Sequence, residues 1–291
     1  MAIEAQQKLS TLRKSCLVRD DSGTNLNRRI HRDDAGGYLH DLQETPMIAV
    51  WFSCGAASAV AAKQTLERYG SSHRVRVINN PVLEEDDDNR RFLKDVEKWL
   101  GTTIETAINP KYPEASAVKV WDDRRFMSGP LGAPCTIELK KHARQEWEKR
   151  NKPDWHVLGF TADEINRYKR FVETERDNVL PVLIDSNTTK AMCFDILRKE
   201  GIDLPRIYKM GYPNANCIGC VKATSPTYWN HVRKQHPDIF EQRATQSREI
   251  GARLVRVKNK RIFLDELDPN AKGRPMKTLQ YDCGIFCEEQ S

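Results

Sequence analysis

Between Met47 and Phe52 the chain reads Met-Ile-Ala-Val-Trp-Phe, and the next six residues, Ser53-Cys54-Gly55-Ala56-Ala57-Ser58, are all small. An unbroken apolar run of this length suits a strand covered on both faces, as in a parallel sheet. Residues 59–69 then place apolar side chains on one face of a helix. A buried strand, a turn of small residues and a helix make the first half of a βαβ unit. The pattern recurs along the chain. Residues 74–79 read as a second strand, and 89–100 as a helix with Phe92, Val96 and Leu100 spaced by four. Residues 103–108 read as a third strand, 155–160 as a later one, 179–184 as a short apolar stretch and 188–199 as a further helix. This alternation predicts an α/β fold on a parallel sheet.

Three regions follow from the same reading. Residues 1–46 are polar, with turns at Asp20-Asp21-Ser22-Gly23 and Asp34-Ala35-Gly36-Gly37, and are expected as a peripheral N-terminal extension. Residues 47–200 are expected as one α/β domain. From about residue 201 the chain turns rich in Pro, Gly, Asn and Cys and then basic, so 201–291 are expected as a small Cys-rich C-terminal module packed on the sheet.

With 39% hydrophobic and 30% charged residues the composition is that of a soluble globular protein. No apolar run approaches the roughly 18–20 residues of a membrane helix, and no apolar segment follows the first charges as in a secretory signal. A cytoplasmic location and no membrane partner are the expectation. The net charge of +6 is uneven, with twelve Lys/Arg against six Asp/Glu in 231–277. That surplus suits a polyanionic partner, from nucleotide phosphates to nucleic acid; a plain solvated face is the competing reading.

The 53–58 segment carries the first chemistry. A helix N-terminus presents unpaired N–H groups and partial positive charge, which suit a phosphate. Small residues let the backbone approach the anion, and Ser53 and Ser58 add hydroxyls. The segment lacks the Gly-Lys-Ser/Thr ending of a Walker A loop. In open α/β sheets ligands bind beyond the carboxyl ends of strands, where this turn falls.

Eight cysteines carry the second. In a reducing compartment they point to metal, cluster or redox chemistry rather than disulfides. Cys16 and Cys193 have no cysteine neighbour and read as structural. Cys217-Ile218-Gly219-Cys220 is a C-x-x-C pair, Cys135 follows Pro134 at the head of a basic helix, and Cys283 and Cys287 form a wider pair. Four such thiols suit a structural zinc ion, an iron–sulfur cluster or redox-active thiols. Lys140, Lys141 and Lys222 are candidates to lower a thiol's pKa, or are ordinary solvated lysines. Asp163 and Glu164 can hold Mg²⁺ or orient Arg167 toward a phosphate, or simply favour a helix N-terminus. Tyr228, Trp229 and Phe240 interleave with basic residues, as on nucleic-acid surfaces, though their spacing better suits a helix packed on the core. His231 and His236 are expected to be exposed.

Ser53-Cys54-Gly55-Ala56-Ala57-Ser58 resembles the Ser-Gly-Gly-x-x-Ser loop of the ATP pyrophosphatase (PP-loop, adenine nucleotide alpha hydrolase-like) superfamily, with Cys54 in place of the first internal Gly. Asn79-Asn80-Pro81-Val82-Leu83-Glu84 resembles that family's second-strand end. Cys135-Thr136-Ile137-Glu138-Leu139-Lys140 resembles its Cys-x-x-x-x-Lys segment, and Gly159 to Arg167 its Gly-x-x-x-x-Glu-x-x-Arg segment. The resemblance covers 47 to about 230 and is closest to PAPS (phosphoadenosine phosphosulfate) reductase-like proteins carried by phages and mobile elements.

The resemblance implies a doubly wound parallel sheet that binds ATP or PAPS with Mg²⁺ through Ser53, Cys54, Gly55, Ala56, Ala57, Ser58, Asn79, Gly159 and Glu164. It implies a [4Fe–4S] cluster, or Zn²⁺ in its place, on Cys135, Cys217, Cys220 and Cys283. Pro134 stands where a second adjacent Cys is expected, so Cys283 is assigned as the fourth ligand. Asp282-Cys283-Gly284-Ile285 also resembles the family's Glu-Cys-Gly-Ile/Leu-His motif, with Phe286 replacing His; this leaves Cys287 as the spare, catalytic thiol beside Lys140 and Arg167. Two chemistries are implied. One is ATP-dependent sulfur or adenylyl transfer to an acceptor such as nucleic acid, with a sulfur-donor protein. The other is PAPS or adenosine phosphosulfate reduction by a Cys thiolate, resolved by a thioredoxin-like partner. A zinc-stabilised nucleic-acid-binding module without catalysis is a third class.

Overall fold

The computed structural model describes residues 45–129 and 132–279, and before them the backbone of four short strands. These strands pair as antiparallel hairpins, Val18–Arg19 with Asn25–Leu26 and Arg29–Arg32 with Tyr38–Asp41. They belong to a unit distinct from the α/β body, which starts at Met47.

The body is built on a parallel sheet of four strands: β1 (Met47–Phe52), β2 (Arg74–Asn79), β3 (Ile104–Thr106) and β4 (Trp155–Val157). Their order is β3-β2-β1-β4. Ile48, Ala49 and Val50 pair with Trp155, His156 and Val157, and Val77, Ile78 and Asn79 with Ile104, Glu105 and Thr106. The chain moves outward from β1 to β2 and β3, then returns to lay β4 on the other side of β1.

That central place explains the composition of β1, whose six residues are all buried. Successive strand side chains point to opposite faces. Ile48, Val50 and Phe52 enter a cluster with Val60, Phe92 and Leu197; Met47, Ala49 and Trp51 enter another with Trp147, Phe160 and Phe171. Both faces need apolar side chains because helical residues cover both. One cover includes α1 (Ala56–Tyr69), α2 (Asp88–Leu100) and α6 (Lys190–Lys199). The other includes α4 (Ala143–Asn151) and α5 (Ile165–Thr174).

Several elements differ in length from the expectation: α1 starts at Ala56 rather than 59, and β3 covers Ile104–Thr106 rather than 103–108. β4 ends at Val157 rather than 160, and Gly159 already lies against the start of α1. The helix expected from 188 starts at Lys190, where the Thr189 hydroxyl accepts the Met192 N–H at 3.2 Å.

Residues after 200 share a core with earlier ones. Val82, Tyr112, Trp121 and Leu139 pack with Tyr228, Trp229, Phe240 and Leu264 in one apolar cluster. Its helices are α3 (Ala117–Arg124), α7 (Pro226–Gln235) and α8 (Pro237–Ile250). A short hairpin, β5 (Val255–Val257) with β6 (Lys260–Ile262), follows. Among the described residues no helix is long and apolar enough to cross a membrane.

Candidate functional site

The 53–58 loop leaves β1 at its carboxyl end and enters α1 through Gly55, which has no side chain to cap the helix. Ser58 closes the loop. Its hydroxyl donates to the Gly55 carbonyl at 2.9 Å, and it accepts the Ser53 N–H at 3.1 Å and the Ser53 hydroxyl at 3.2 Å. Ser58 is buried and Ser53 exposed, so Ser58 shapes the turn while Ser53 faces outward.

Cys54 has φ +54°, the left-handed region that costs an L residue about 1 kcal/mol and that glycine adopts freely. The Gly-to-Cys departure noted in the sequence thus falls where the backbone most favours glycine. Its thiol does not stand beside a phosphate position. It is 3% exposed, packed under the loop, with the Asn79 side-chain amide 3.5 Å from Sγ. Burial raises the thiol's pKa far above its ordinary value, Glu85 adds to this, and Lys140 and Asn79 oppose it.

Gly159, at the end of the β4 segment, lies against the loop. A Cβ there would stand 2.8 Å from the Ser58 nitrogen and 3.1 Å from the Ala57 carbonyl carbon, closer than side chains pack. The loop and the 159–161 turn therefore flank the same edge, at the junction where the strand order reverses across β1.

At the end of β2, Asn79 donates to the Phe52 carbonyl at 2.8 Å and Asn80 to the Ala107 carbonyl at 2.9 Å. Lys140, buried in the π-helical turn Ile137–His142, donates to the Asn80 carbonyl and pairs with Glu85 at 3.1 Å. The structure thus brings Lys140 to the loop, where its charge acts on Cys54.

Thr161 and Glu164 form a capping box: Glu164 accepts the Thr161 N–H and hydroxyl, each at 3.2 Å. Its other oxygen accepts from Arg167 at 2.6 Å, and that guanidinium lies over the Phe160 ring. Asp163 accepts the Lys190 N–H at 2.9 Å and so caps α6. Both carboxylates thus accept hydrogen bonds from the protein's own donors.

Tyr208 was not legible as a site residue. It lies in the short helix Arg206–Lys209, between Pro205 and Gly211. Its hydroxyl is 3.4 Å from where a Gly55 Cβ would stand and accepts the Ala56 N–H. Burial pushes this phenol up to about 12. Glu85 was also missed, although the acidic run 84–88 after β2 signalled it. Glu84, Glu85, Asp86 and Asp88 of that run hold partners, Arg206 being shared by the two aspartates. Glu84 caps α3, Glu85 holds Lys140, Asp86 binds Arg206 and Asp88 binds Arg91.

The turn 217–220 is held from two sides. The Ile218 N–H donates to the Glu84 carbonyl at 3.0 Å, the Cys220 N–H donates to the Tyr228 hydroxyl at 2.7 Å, and Gly219 has φ +70°. Cys135, Cys217 and Cys220 are thiols that belong to, or pack against, the same apolar cluster. Among the described residues no three His, Cys, Asp or Glu side chains are grouped closely enough to hold a metal. Cys283 and Cys287, the assigned fourth ligand and spare thiol, lie outside the described residues, as does Cys16.

Other side chains settle differently from their sequence readings. Tyr228, Trp229 and Phe240 are at most 2% exposed and offer no stacking face to a nucleic acid. His231 and His236, expected at the surface, are half-buried around Tyr212, at ring separations of 4.7 and 6.2 Å. Cys193 is buried beside α1, in keeping with a structural role. A cavity lined by Glu148, Lys152, His156 and Arg176 opens at the opposite end of β4 from the loop and is not part of this site.

No protein-family model matches the chain, and no curated protein matches it.

Proposed function

We propose that this protein binds an adenine nucleotide at the 53–58 loop of a doubly wound, PP-loop-type sheet and uses it for sulfur or adenylyl transfer to an acceptor. One observation carries the reading: a hydroxyl-closed turn of small residues at the start of α1, where Gly55 supplies no cap and Tyr208 holds the Ala56 N–H, pressed against Gly159 where the strand order reverses. Helix-start N–H groups and Ser53 suit phosphate oxygens. In this reading an acceptor oxygen attacks the α-phosphate, an O–P bond forms, the bond to the pyrophosphate oxygen breaks and pyrophosphate leaves. The acceptor proton passes to solvent. Backbone N–H groups spread the developing charge on the phosphoryl oxygens. Mg²⁺ arrives on the nucleotide, since Asp163 and Glu164 are already engaged.

Arg167 is next to the 159–161 turn, and release from Glu164 would let it reach a phosphate. Lys140 holds the end of β2 against the loop through Asn80 and Glu85. A [4Fe–4S] cluster or Zn²⁺ is assigned to Cys135, Cys217, Cys220 and Cys283 on the softness of thiolate donors alone, since among the described residues no three such side chains are grouped for a metal. The buried Arg243 guanidinium beside the 217–220 turn favours a negatively charged group there. When bound, an iron–sulfur centre supplies a sulfur-handling or acceptor-positioning group. The basic 231–277 segment supports a nucleic-acid acceptor, and the reading puts the protein in the cytoplasm.

The test is pyrophosphate release from ATP, with RNA, DNA and a sulfur-donor protein offered in turn. Acceptor-dependent release that Ser53→Ala lowers at least several-fold supports the reading. Release that requires no acceptor and ignores Ser53 contradicts it.

A further inference from the structure

The β5–β6 hairpin packs one face on the core and turns the other outward, because strand side chains alternate. Val255, Val257 and Ile262 join the apolar cluster of α3, α7 and α8, and the Arg256 N–H donates to the Thr224 carbonyl at 2.8 Å. On the outer face Arg256 stands directly opposite Arg261, and both are exposed. Like charges in that position repel and weaken a hairpin. Lys258 and Asn259 make the turn, with φ of +45° and +66°. Two-residue turns of this kind favour Asn, Asp or Gly at both places, yet the first here is a lysine. The hairpin thus departs from local preference twice, each time with a cation, and such departures gather at functional surfaces.

No acid offsets these charges. Residues 252–262 hold Arg253, Arg256, Lys258, Lys260 and Arg261 and no Asp or Glu. The acids that follow are both taken by Arg248, Asp265 at 2.8 Å and Glu266 at 2.9 Å, and among the described residues no carboxylate pairs with any of the five cations. Burial and then the Arg256 charge pull Arg261 below its ordinary range. The patch continues onto exposed Arg274, whose carbonyl accepts the Ser225 hydroxyl at 3.1 Å, one residue from the Thr224 carbonyl that holds Arg256.

The ring beside the hairpin, Phe263, lies under the guanidinium groups of Arg248 at 3.9 Å and Arg253 at 5.2 Å. A cationic surface whose aromatic is already stacked suits backbone phosphates rather than unpaired bases. A two-stranded ribbon also fits the wide B-form major groove, whereas the deep, narrow A-form groove of duplex RNA shuts side chains out.

We propose that the β5–β6 hairpin is a docking surface for duplex DNA, with Arg256 and Arg261 on its outer face and Lys258 and Lys260 at its tip set against backbone phosphates. An acceptor role for that DNA rests on the function proposed above; the binding itself needs no nucleotide. Each phosphate contact releases a condensed counterion, so affinity falls as salt rises.

The experiment follows the anisotropy of a fluorescein-labelled DNA duplex of about 20 base pairs with the full chain, without nucleotide, over about 50–200 mM salt. Wild type should bind with Kd below about 100 μM, and log affinity should fall against log salt with a slope of about −3.6 or steeper, from four contacts at about −0.9 each. Arg256→Gln with Arg261→Gln should make the slope shallower by about 2 and weaken low-salt binding at least about ten-fold. Lys258→Gln with Lys260→Gln should do the same. Lys149→Gln, an exposed cation on α4, should leave the slope unchanged. Arg256→Gln alone should not lower the melting temperature, since it relieves the repulsion; a purely structural arginine would lower it. A single strand and an RNA duplex of the same sequence should bind at least about three-fold more weakly.

No binding by folded wild type, slopes unchanged in the double variants, or no preference for the DNA duplex over the single strand and the RNA duplex overturns the proposal. If one double variant does not fold, the other decides. DNA binding without MgATP binding leaves the hairpin standing and removes the nucleotide reading; MgATP binding without DNA binding removes the hairpin alone.

Discussion

Gly159 and Ser58 are so close that a Cβ added at Gly159 would stand 2.8 Å from the Ser58 backbone nitrogen. Ser58 also closes the 53–58 loop, so any side chain at 159 displaces the loop's closing residue. Gly159→Ala should destabilise the fold by about 1–3 kcal/mol, the usual cost of overpacking. It should weaken nucleotide binding at least about ten-fold, because one ångström of misplacement is felt strongly in a positioned site. Urea midpoints and calorimetry on the same variant check both.

Cys54 sets two preferences against each other: a left-handed backbone that favours glycine and a buried thiol that fills space. Cys54→Gly should therefore leave stability within about 1 kcal/mol of wild type, since relief of strain offsets lost packing. Cys54→Val, β-branched in the same conformation, should cost about 2 kcal/mol or more. Denaturant melts of the two variants give the comparison.

The buried thiols set an alkaline limit. Burial raises Cys54 strongly and pushes Cys193 up to about 12. Above the ordinary thiol range the unfolded chain loses these protons while the folded chain keeps them, so stability is full below about pH 8.5 and declines as pH rises. Native-state alkylation at pH 8 should leave both cysteines unmodified by mass spectrometry.

His156 sets an acid limit with the opposite sign. Burial, then the charges of Arg176 and Arg144, bring it down to about 3, and Trp51 donates to its Nδ1 at 3.0 Å. The unfolded chain takes up this proton near pH 6.5 and the folded chain does not. Stability should therefore fall as pH drops from 6.5 toward 3, by at most about 1.4 kcal/mol per unit from this group. His156→Gln should flatten that part of the urea-midpoint profile; an unchanged slope contradicts the assignment.

Lys140 and Glu85 form a nearly buried pair at the base of the loop. Lys140→Met leaves a buried carboxylate unpaired and should cost about 3 kcal/mol or more. Lys140→Met with Glu85→Leu should recover much of that loss. Equal melting points for the single and double variants would show that the two residues do not act as a pair.

The central strand, the loop and α1 were legible because each rests on local sequence. An apolar run of six residues, a run of small ones and a helical periodicity need no distant partner. Gly159 was legible as part of a motif, but its closeness to Ser58 comes from the β1–β4 pairing. Asp163 and Glu164 carried two readings because a helix-start acid and a metal ligand look alike in sequence; their partners favour the helix-start role. Tyr208 reaches the loop across about 150 residues of chain, from a four-residue helix too short to show periodicity. Arg243 did leave a trace: Phe240, Arg243, Ala244 and Ser247 share one buried helical face. Its place in a basic segment hid it among solvated charges.

The most direct test of the account is equilibrium binding of MgATP to the full-length chain by calorimetry, with Ser53→Ala and Gly159→Ala in parallel. The account predicts one site per chain with Kd below about 1 mM in wild type, as for ordinary substrate sites. It also predicts at least several-fold weaker binding in Ser53→Ala and none measurable in Gly159→Ala. No binding in a folded wild type, or equal binding in all three, would show that the 53–58 turn is not a nucleotide site.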